Sequence, residues 1–187
     1  MRSLLTFLLL APAWALVAGS GPAAVFPELA VTDLVGLSTV LPQGLSGPCL
    51  VVVGFSHASG EPCSQWQERA CGSAVTPYAC PVREIVELES APFFVAPMVR
   101  RSLRKEVPAG LFNKVFIARV GRKELQAALG FDDAAPDDPY LALLSSRGGI
   151  EWYGHGPWSQ GRQEALLQAL KLITRGVHMP PGAGTGP

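Results

Sequence analysis

The chain has 187 residues, the length of one domain, and 48% of them are hydrophobic, which is enough for a globular core. Its 15 Lys and Arg residues balance its 15 Asp and Glu residues, so the formal net charge is zero. This balance gives no electrostatic reason to expect a polyanionic partner, and we expect no nucleic-acid partner.

The start of the chain has the pattern of a secretory signal peptide. Arg2 supplies a basic start, and an apolar run extends from Leu4 to Leu10. The run is too short to span a bilayer, and Pro12 interrupts it. We therefore predict a signal peptide at residues 1–20 and an exported protein, whether periplasmic, secreted or membrane-associated. The alternative is a mitochondrial transit peptide, although such leaders carry several arginines.

Two short apolar segments between Phe26 and Leu41 predict a β-hairpin with a turn at Gly36. The segment that follows, Leu50 to Phe55, is too short and too rich in valine for a helix. Because it is apolar on both faces, we interpret it as the central strand of a sheet that is covered on both sides.

A polar turn and a helix follow this central strand. The helix is predicted from Pro62 to Ala70, with Pro62 near its first position, where a missing N–H costs nothing, and with Trp66 facing the sheet. In α/β sheets, functional residues lie just beyond the carboxyl end of a strand, where the next helix begins. The turn from Ser56 to Ser64 is therefore the predicted functional region.

The rest of the chain alternates strands and helices. The predicted strands are Val82–Leu88, Val115–Val120, Tyr140–Leu144 and Ile150–Tyr153. The first of them interleaves apolar and charged residues, which predicts one exposed face that carries its charges. The predicted helices are Pro97–Lys105, with a stripe of Met98, Val99 and Leu103, then Arg122–Leu129 and Gln160–Thr174. Residues 176–187 are rich in Gly and Pro and predict a disordered tail. The pattern thus predicts an α/β domain at residues 21–175, with a mixed sheet between helices.

The order of these elements resembles the thioredoxin-like sandwich in its redoxin form, with an N-terminal β-hairpin before the core. Three segments, FPELAVTDLVGLSTVLP, PMVRRSLRKEVP and PYLALLSSRGGIEWYGHGP, are similar to the thioredoxin-like family of the mitochondrial ATP synthase assembly factor and its bacterial relatives. Members of that family generally lack a redox cysteine pair. The resemblance implies an assembly or chaperone factor that binds a polypeptide client, such as part of a membrane complex under assembly.

Thioredoxin-like oxidoreductases carry a Cys-x-x-Cys pair where this chain has Gly60, Glu61, Pro62 and Cys63. The first cysteine of such a pair supplies the thiolate that attacks a substrate disulfide, and the second resolves the mixed disulfide. Gly60 has no sulfur, so we expect no exchange within the motif and no enzyme of this class. The alternative is an oxidoreductase that acts through Cys63. For Cys63 itself, we also weigh a buried position and a disulfide with Cys49.

The resemblance also implies where a client binds. The predicted binding groove joins the functional turn to a neighbouring strand and comprises His57, Gly60, Glu61, Pro62, Cys63, Pro139 and Tyr140. In the thioredoxin-like fold a cis-proline begins the strand beside the active site. Pro139 stands at that position, so we expect a cis peptide bond before it.

Four cysteines permit disulfides in an exported protein, with three fully paired connectivities. Cys71 and Cys80 flank a short loop, and we favour this pair as a structural disulfide. His57 and Cys63 share one turn, as in a metal site. The cysteine spacing differs from that of thioredoxin-like copper chaperones, so we expect neither a metal nor another cofactor.

Overall fold

The structure, a computed structural model, describes residues 25–45, 47–70 and 80–174. The predicted signal peptide and the predicted tail lie outside these ranges. The strands are β1 (Leu29–Asp33), β2 (Ser38–Leu41), β3 (Cys49–Gly54), β4 (Val82–Glu87), β5 (Val115–Ala118), β6 (Tyr140–Leu144) and β7 (Ile150–His155). The helices are α1 (Gly60–Arg69), α2 (Val95–Glu106), α3 (Arg122–Leu129) and α4 (Gln160–Thr174), with a 3-10 helix at Ala109–Lys114. In the part of the chain described, no helix is long and apolar enough to cross a bilayer.

The seven strands form one mixed sheet in the order β2-β1-β5-β4-β3-β6-β7. The strands β1 and β2 are antiparallel and form the predicted hairpin, whose turn is held by the Asp33 carboxylate. This carboxylate accepts the backbone N–H groups of Gly36 and Leu37 at 2.7 and 2.8 Å. Strand β3 is an interior strand next to the middle strand β4 and is fully buried, parallel to β4 and antiparallel to β6. The predicted fold class, an α/β sandwich with an N-terminal hairpin, is confirmed.

Alternate residues of β3 pack into two cores because successive side chains of a strand point to opposite faces. On one face, Val51 and Val53 pack in a cluster with Leu125 and Leu129 of α3. On the other face, Leu50 and Val52 pack in a cluster with residues of α1 and α4. The sheet is therefore covered on both sides, as predicted.

Helix α2 packs more loosely than the other helices. It begins at Val95, two residues before the predicted start, and none of its residues is buried. Met98, which we expected in the inward stripe, is 66% exposed, whereas Leu103 packs against a third core cluster. The helix stands off the sheet and leaves space between itself and β4, and that space forms part of the site described below.

Gly130 ends α3 in the left-handed conformation, with a φ of +62°, and a Cβ there would lie 3.2 Å from the Tyr153 ring. We expect Gly130→Ala to lower the free energy of unfolding by about 1–2 kcal/mol, because a Cβ is strained in this conformation. The control is Gly161→Ala in α4, where a Cβ would meet nothing within 4 Å and the change should stabilise by up to about 1 kcal/mol. Urea unfolding measures both variants, and equal effects would contradict the left-handed helix end.

Candidate functional site

The turn between β3 and α1 is held together by two serines. The Ser59 hydroxyl donates to the Ser56 carbonyl oxygen at 2.7 Å, and the Ser59 N–H donates to Ser56 Oγ at 3.2 Å. Gly54 ends the strand, and a Cβ there would lie 2.6 Å from Ser59 Oγ and 3.3 Å from Cys63 Sγ. The start of α1 therefore packs directly on the end of the central strand.

Helix α1 begins at Gly60, two residues before the predicted start, so Pro62 is its third residue. The first four N–H groups of a helix have no partner within it, and Pro62 costs no helix hydrogen bond there. Gly60 is exposed, and a Cβ built on it would meet nothing within 4 Å. The position of the first cysteine in an oxidoreductase is thus open to solvent here but carries no side chain.

Cys63 is a free thiol, 1% exposed, in the core between α1 and the sheet. Burial, together with the nearby negative charge of Glu84, raises the pKa of the Cys63 thiol far above its usual range, and a hydrogen bond with Ser59 offsets this only in part. The thiolate is the reactive form of cysteine. Cys63 in this position is therefore a poor nucleophile.

Cys49 lies on the opposite face of the sheet, in the core that contains Val51. It is also a free, buried thiol, and burial raises the pKa of Cys49 to about 12. Because the sheet separates the two side chains, a disulfide between Cys49 and Cys63 does not form. Of the alternatives considered for Cys63, the structure shows a buried, unpaired cysteine in the first turn of a helix.

A pocket of about 600 Å³ opens beside the turn, between α1, α2 and β4. Three residues of the predicted groove, His57, Gly60 and Glu61, line it. The apolar part of the remaining wall is formed by Phe55, Val86, Leu88, Ala91, Val95, Val99 and Leu103. The sequence did not indicate this wall, because it forms only where α2 passes over β4.

Four glutamates line the pocket, and no Lys or Arg does so among the described residues. Three have partners: Glu87 forms an ion pair with Arg122, Glu106 accepts the Ser102 hydroxyl at 2.8 Å, and Glu61 accepts Gln65 Nε2 at 3.5 Å. The fourth, Glu84, is the residue that the sequence did not reveal, since the alternation in β4 predicted an exposed face for its charged residues.

Glu84 and Glu87 are each only 4% exposed, so the predicted exposed face of β4 is wrong. The physical reason is that α2 and the start of α3, which follow β4 in the chain, lie over these side chains. Burial raises the pKa of the Glu84 carboxyl to about 7. Within the described part of the chain this carboxyl has no hydrogen bond and no ion pair.

Solved structures with a similar arrangement identify the fold. A putative electron transfer protein from Aquifex aeolicus VF5 aligns with a TM-score of 0.58 and 17% identity, over 84% of this chain and 96% of that one. Copper-bound Sco1 from yeast aligns with a TM-score of 0.53 and 9% identity, over 83% and 95% of the two chains. A thiol peroxidase from Chromobacterium violaceum aligns with a TM-score of 0.51 and 11% identity, over 83% and 88%. The chain has a thioredoxin-like fold.

The thioredoxin-like fold is shown by the three-dimensional arrangement and not by sequence similarity. The sequence has no significant match to a protein-family profile or to a curated protein. At the low identity of the structural matches, the shared feature is the fold alone.

The peptide bond before Pro139, the residue that precedes β6, differs from our expectation for a thioredoxin-like protein. The peptide bond before Pro139 is trans, so the predicted cis bond is wrong; in the described residues only the Leu41–Pro42 bond is cis. The chain is already extended here, since the Pro139 carbonyl accepts the Gly156 N–H at 3.0 Å and thereby joins β6 to β7. A trans peptide bond before Pro139 is therefore compatible with the extended backbone that pairs β6 with β7.

Pro139 and Tyr140 are both buried and do not line the pocket. The Tyr140 hydroxyl accepts the Asp132 N–H at 3.0 Å and lies 3.1 Å from the Ala135 carbonyl oxygen. The His155 ring stacks on Tyr140, and its Nδ1 lies 2.8 Å from an Asp138 carboxylate oxygen. In this arrangement Pro139 and Tyr140, two residues of the predicted groove, stabilise the fold around the start of β6. Neither side chain is accessible to a client.

Pro62 and Cys63, the other two predicted groove residues outside the pocket wall, belong to the first turn of α1. Cys71 lies outside the described residues, so the disulfide with Cys80 stays a prediction. Cys80 is buried, and its Sγ lies 3.9 Å from the Pro81 carbonyl oxygen. Over the ranges that the structure describes, no cluster of three or more His, Cys, Asp or Glu side chains is suited to a metal ion.

Proposed function

We propose that this chain is a non-catalytic thioredoxin-like protein that binds a polypeptide client in the pocket between α1, α2 and β4. One observation carries the proposal. Where an oxidoreductase of this fold exposes a thiolate, this chain has Gly60, and the sulfur that follows, in Cys63, is 1% exposed. The start of α1 keeps an adjacent opening but has no accessible sulfur.

Exposed apolar side chains beside the pocket favour a polypeptide over a small molecule. Phe93, Phe94 and Met98 are 79%, 55% and 66% exposed, and the two aromatic rings contact each other with centroids 5.8 Å apart. These side chains lie at the start of α2, the helix that also supplies Val95 and Val99 to the pocket wall. Clustered exposed apolar residues of this kind mark interaction surfaces. A client segment could cover the pocket and this surface together.

The wider role that we propose is assembly. The resemblance of the sequence segments to the ATP synthase assembly factor family supports a client that belongs to a membrane complex under assembly. The leader pattern supports export, with residues 1–20 removed from the mature protein. Disulfide exchange through Cys63 is the alternative, and the burial of this thiol and its raised pKa oppose it.

Two measurements test the proposal. Insulin reduction in the presence of the wild-type protein should proceed at the rate of the chemical reductant alone. An array of short synthetic peptides should contain binders, and Val99→Trp, which adds a bulky indole ring to the pocket wall, should abolish their binding. The control Gln168→Trp adds the same side chain at an exposed position of α4 and should leave binding intact. Catalysed insulin reduction, or binding that Val99→Trp does not affect, would overturn the proposal.

A further inference from the structure

We infer that the client presents a cationic side chain, Lys or Arg, that enters the pocket and pairs with the Glu84 carboxylate, while its apolar neighbours pack on the pocket wall. This inference rests on the proposed function, because it specifies the chemistry of the segment that the pocket binds.

The Glu84 carboxyl group has no bonding partner among the described residues. Glu84 is 4% exposed and lines the pocket, yet it makes no hydrogen bond or ion pair with any described residue. A buried carboxylate is unfavourable unless it is paired or hydrogen-bonded. A cationic side chain that enters the pocket would supply both a charge partner and hydrogen-bond donors.

The lining of the pocket around Glu84 carries further acidic side chains. The other three glutamates of the pocket are already bonded, to Arg122, Ser102 and Gln65. Among the described residues, no lysine or arginine lines the pocket, so a cation that pairs with Glu84 must come from outside. The extra negative charge around Glu84 attracts a cation and repels an anion.

The shape and polarity of the pocket suit a long cationic side chain. Its apolar wall suits the hydrocarbon stem of a lysine or arginine, which packs on apolar surface while its charged group binds elsewhere. The volume of about 600 Å³ exceeds that of one side chain, so neighbouring residues of the client can enter as well. Met98 is one helical turn from Ser102, which lines the pocket, and extends the apolar surface beyond its rim.

Affinity should depend on pH in a defined direction. Burial raises the pKa of Glu84 to about 7, and pairing with a cation favours the ionised carboxylate. Binding of a cationic client should therefore release protons, and affinity should increase as the pH rises through about 7. The other titratable and charged groups facing this region are His57 in the turn, Glu61 and Cys63 of α1, Glu87 with its partner Arg122, and Glu106 of α2.

The experiment uses three peptides with identical apolar flanks, Leu-Val-X-Leu-Val, where X is lysine, norleucine or glutamate. Calorimetric titration at about pH 8 should show the lysine peptide binding roughly tenfold more tightly than the norleucine peptide, and the glutamate peptide should bind most weakly. Glu84→Gln should reduce the lysine preference to less than about twofold. Glu68→Gln, which removes an exposed glutamate of α1 outside the pocket, should retain it.

The calorimetric titration is repeated at about pH 6. The lysine preference of the wild type should be smaller there, because Glu84 is mostly protonated. Glu84→Gln should lose this pH dependence, which assigns the dependence to the Glu84 carboxyl group. A preference that does not change between these pH values would contradict the role of Glu84.

The possible failures are distinguishable. If the norleucine peptide binds as tightly as the lysine peptide and Val99→Trp abolishes both, the cationic inference is wrong and the proposed function stands. If no peptide binds, both are wrong. A lysine preference that survives Glu84→Gln would assign the cation to another residue. Butylamine that binds as tightly as the lysine peptide would identify a small amine, and not a polypeptide, as the ligand.

Discussion

Replacing Gly60 with cysteine should give this chain a disulfide-exchange activity that we expect the wild type to lack. The unpaired N–H groups and the positive end of the dipole at a helix start lower the pKa of a thiol placed there. The new side chain should fit without strain, since Gly60 is exposed and a Cβ on it meets nothing within 4 Å. Insulin reduction by Gly60→Cys should be at least about tenfold faster than by the wild type.

Two control variants separate the roles of the two sulfurs. Gly60→Ser adds a side chain of similar size without sulfur and should stay inactive. Combining Gly60→Cys with Cys63→Ser leaves the attacking thiol without a resolving one, so a mixed disulfide with the substrate should accumulate. If Gly60→Cys folds but its new thiol never joins Cys63, our assignment of the active-site turn is incorrect.

The second large effect concerns the pH dependence of stability. Burial raises the pKa of the Glu84 carboxyl from its ordinary value of 4.5 to about 7 in the folded protein. Between these values the folded state retains a proton that the unfolded state has lost, so the free energy of unfolding falls as the pH rises. We expect this single group to cost about 3 kcal/mol at pH values above about 8, relative to pH values below about 4.

Glu84→Gln should remove this cost, because glutamine has nearly the same shape and does not ionise. At about pH 8 the variant should be more stable than the wild type by up to about 3 kcal/mol, and the difference should shrink as the pH falls toward about 5. Chemical unfolding at a series of pH values measures the effect. Glu61→Gln, at an exposed position of the same pocket, is the control and should change little. A slope with pH that is the same in Glu84→Gln and the wild type would show that Glu84 is not the titrating group.

These two substitutions act on neighbouring parts of one opening, and together they connect the structure to the proposed function. Gly60 determines whether a sulfur is available at the start of α1, whereas Glu84 determines which charge the pocket accepts. Because Glu84→Gln should be more stable than the wild type at neutral pH and above, the carboxylate reduces stability in the unbound protein. A group that reduces stability in the unbound protein is expected to have a role in binding. Retention of the lysine preference by Glu84→Gln would contradict such a role for Glu84.

Elements with a strong local pattern were predicted closely from the sequence. Helices α3 and α4 and strand β6 have the predicted ends, and β3 differs by one residue at each end. Apolar spacing and a glycine at the end of α3 act within a few residues, so they are visible without knowledge of the neighbours. The missing first cysteine is equally local, since it depends only on the spacing between Gly60 and Cys63.

Features that depend on distant packing were predicted less well. Met98 and Val99 are adjacent apolar residues, yet only the position of α2 over the sheet decides that Val99 lines the pocket while Met98 is exposed. The 3-10 helix after α2 was not predicted. The peptide bond before Pro139 was predicted to be cis from a resemblance. It is trans in the structure, where β6 pairs with β7.

The sequence by itself determined that this is an α/β chain with a hairpin before a buried central strand, and that no sulfur stands at Gly60. Only the tertiary structure decided that Cys63 is inaccessible and that Glu84 lines a pocket. The reason is that burial depends on what covers a side chain: Cys63 is covered by the sheet against which α1 packs, and Glu84 by α2, which begins 11 residues after it. Charge and polarity are properties of one residue, whereas desolvation, which raises the pKa values of both groups, is a property of their neighbours.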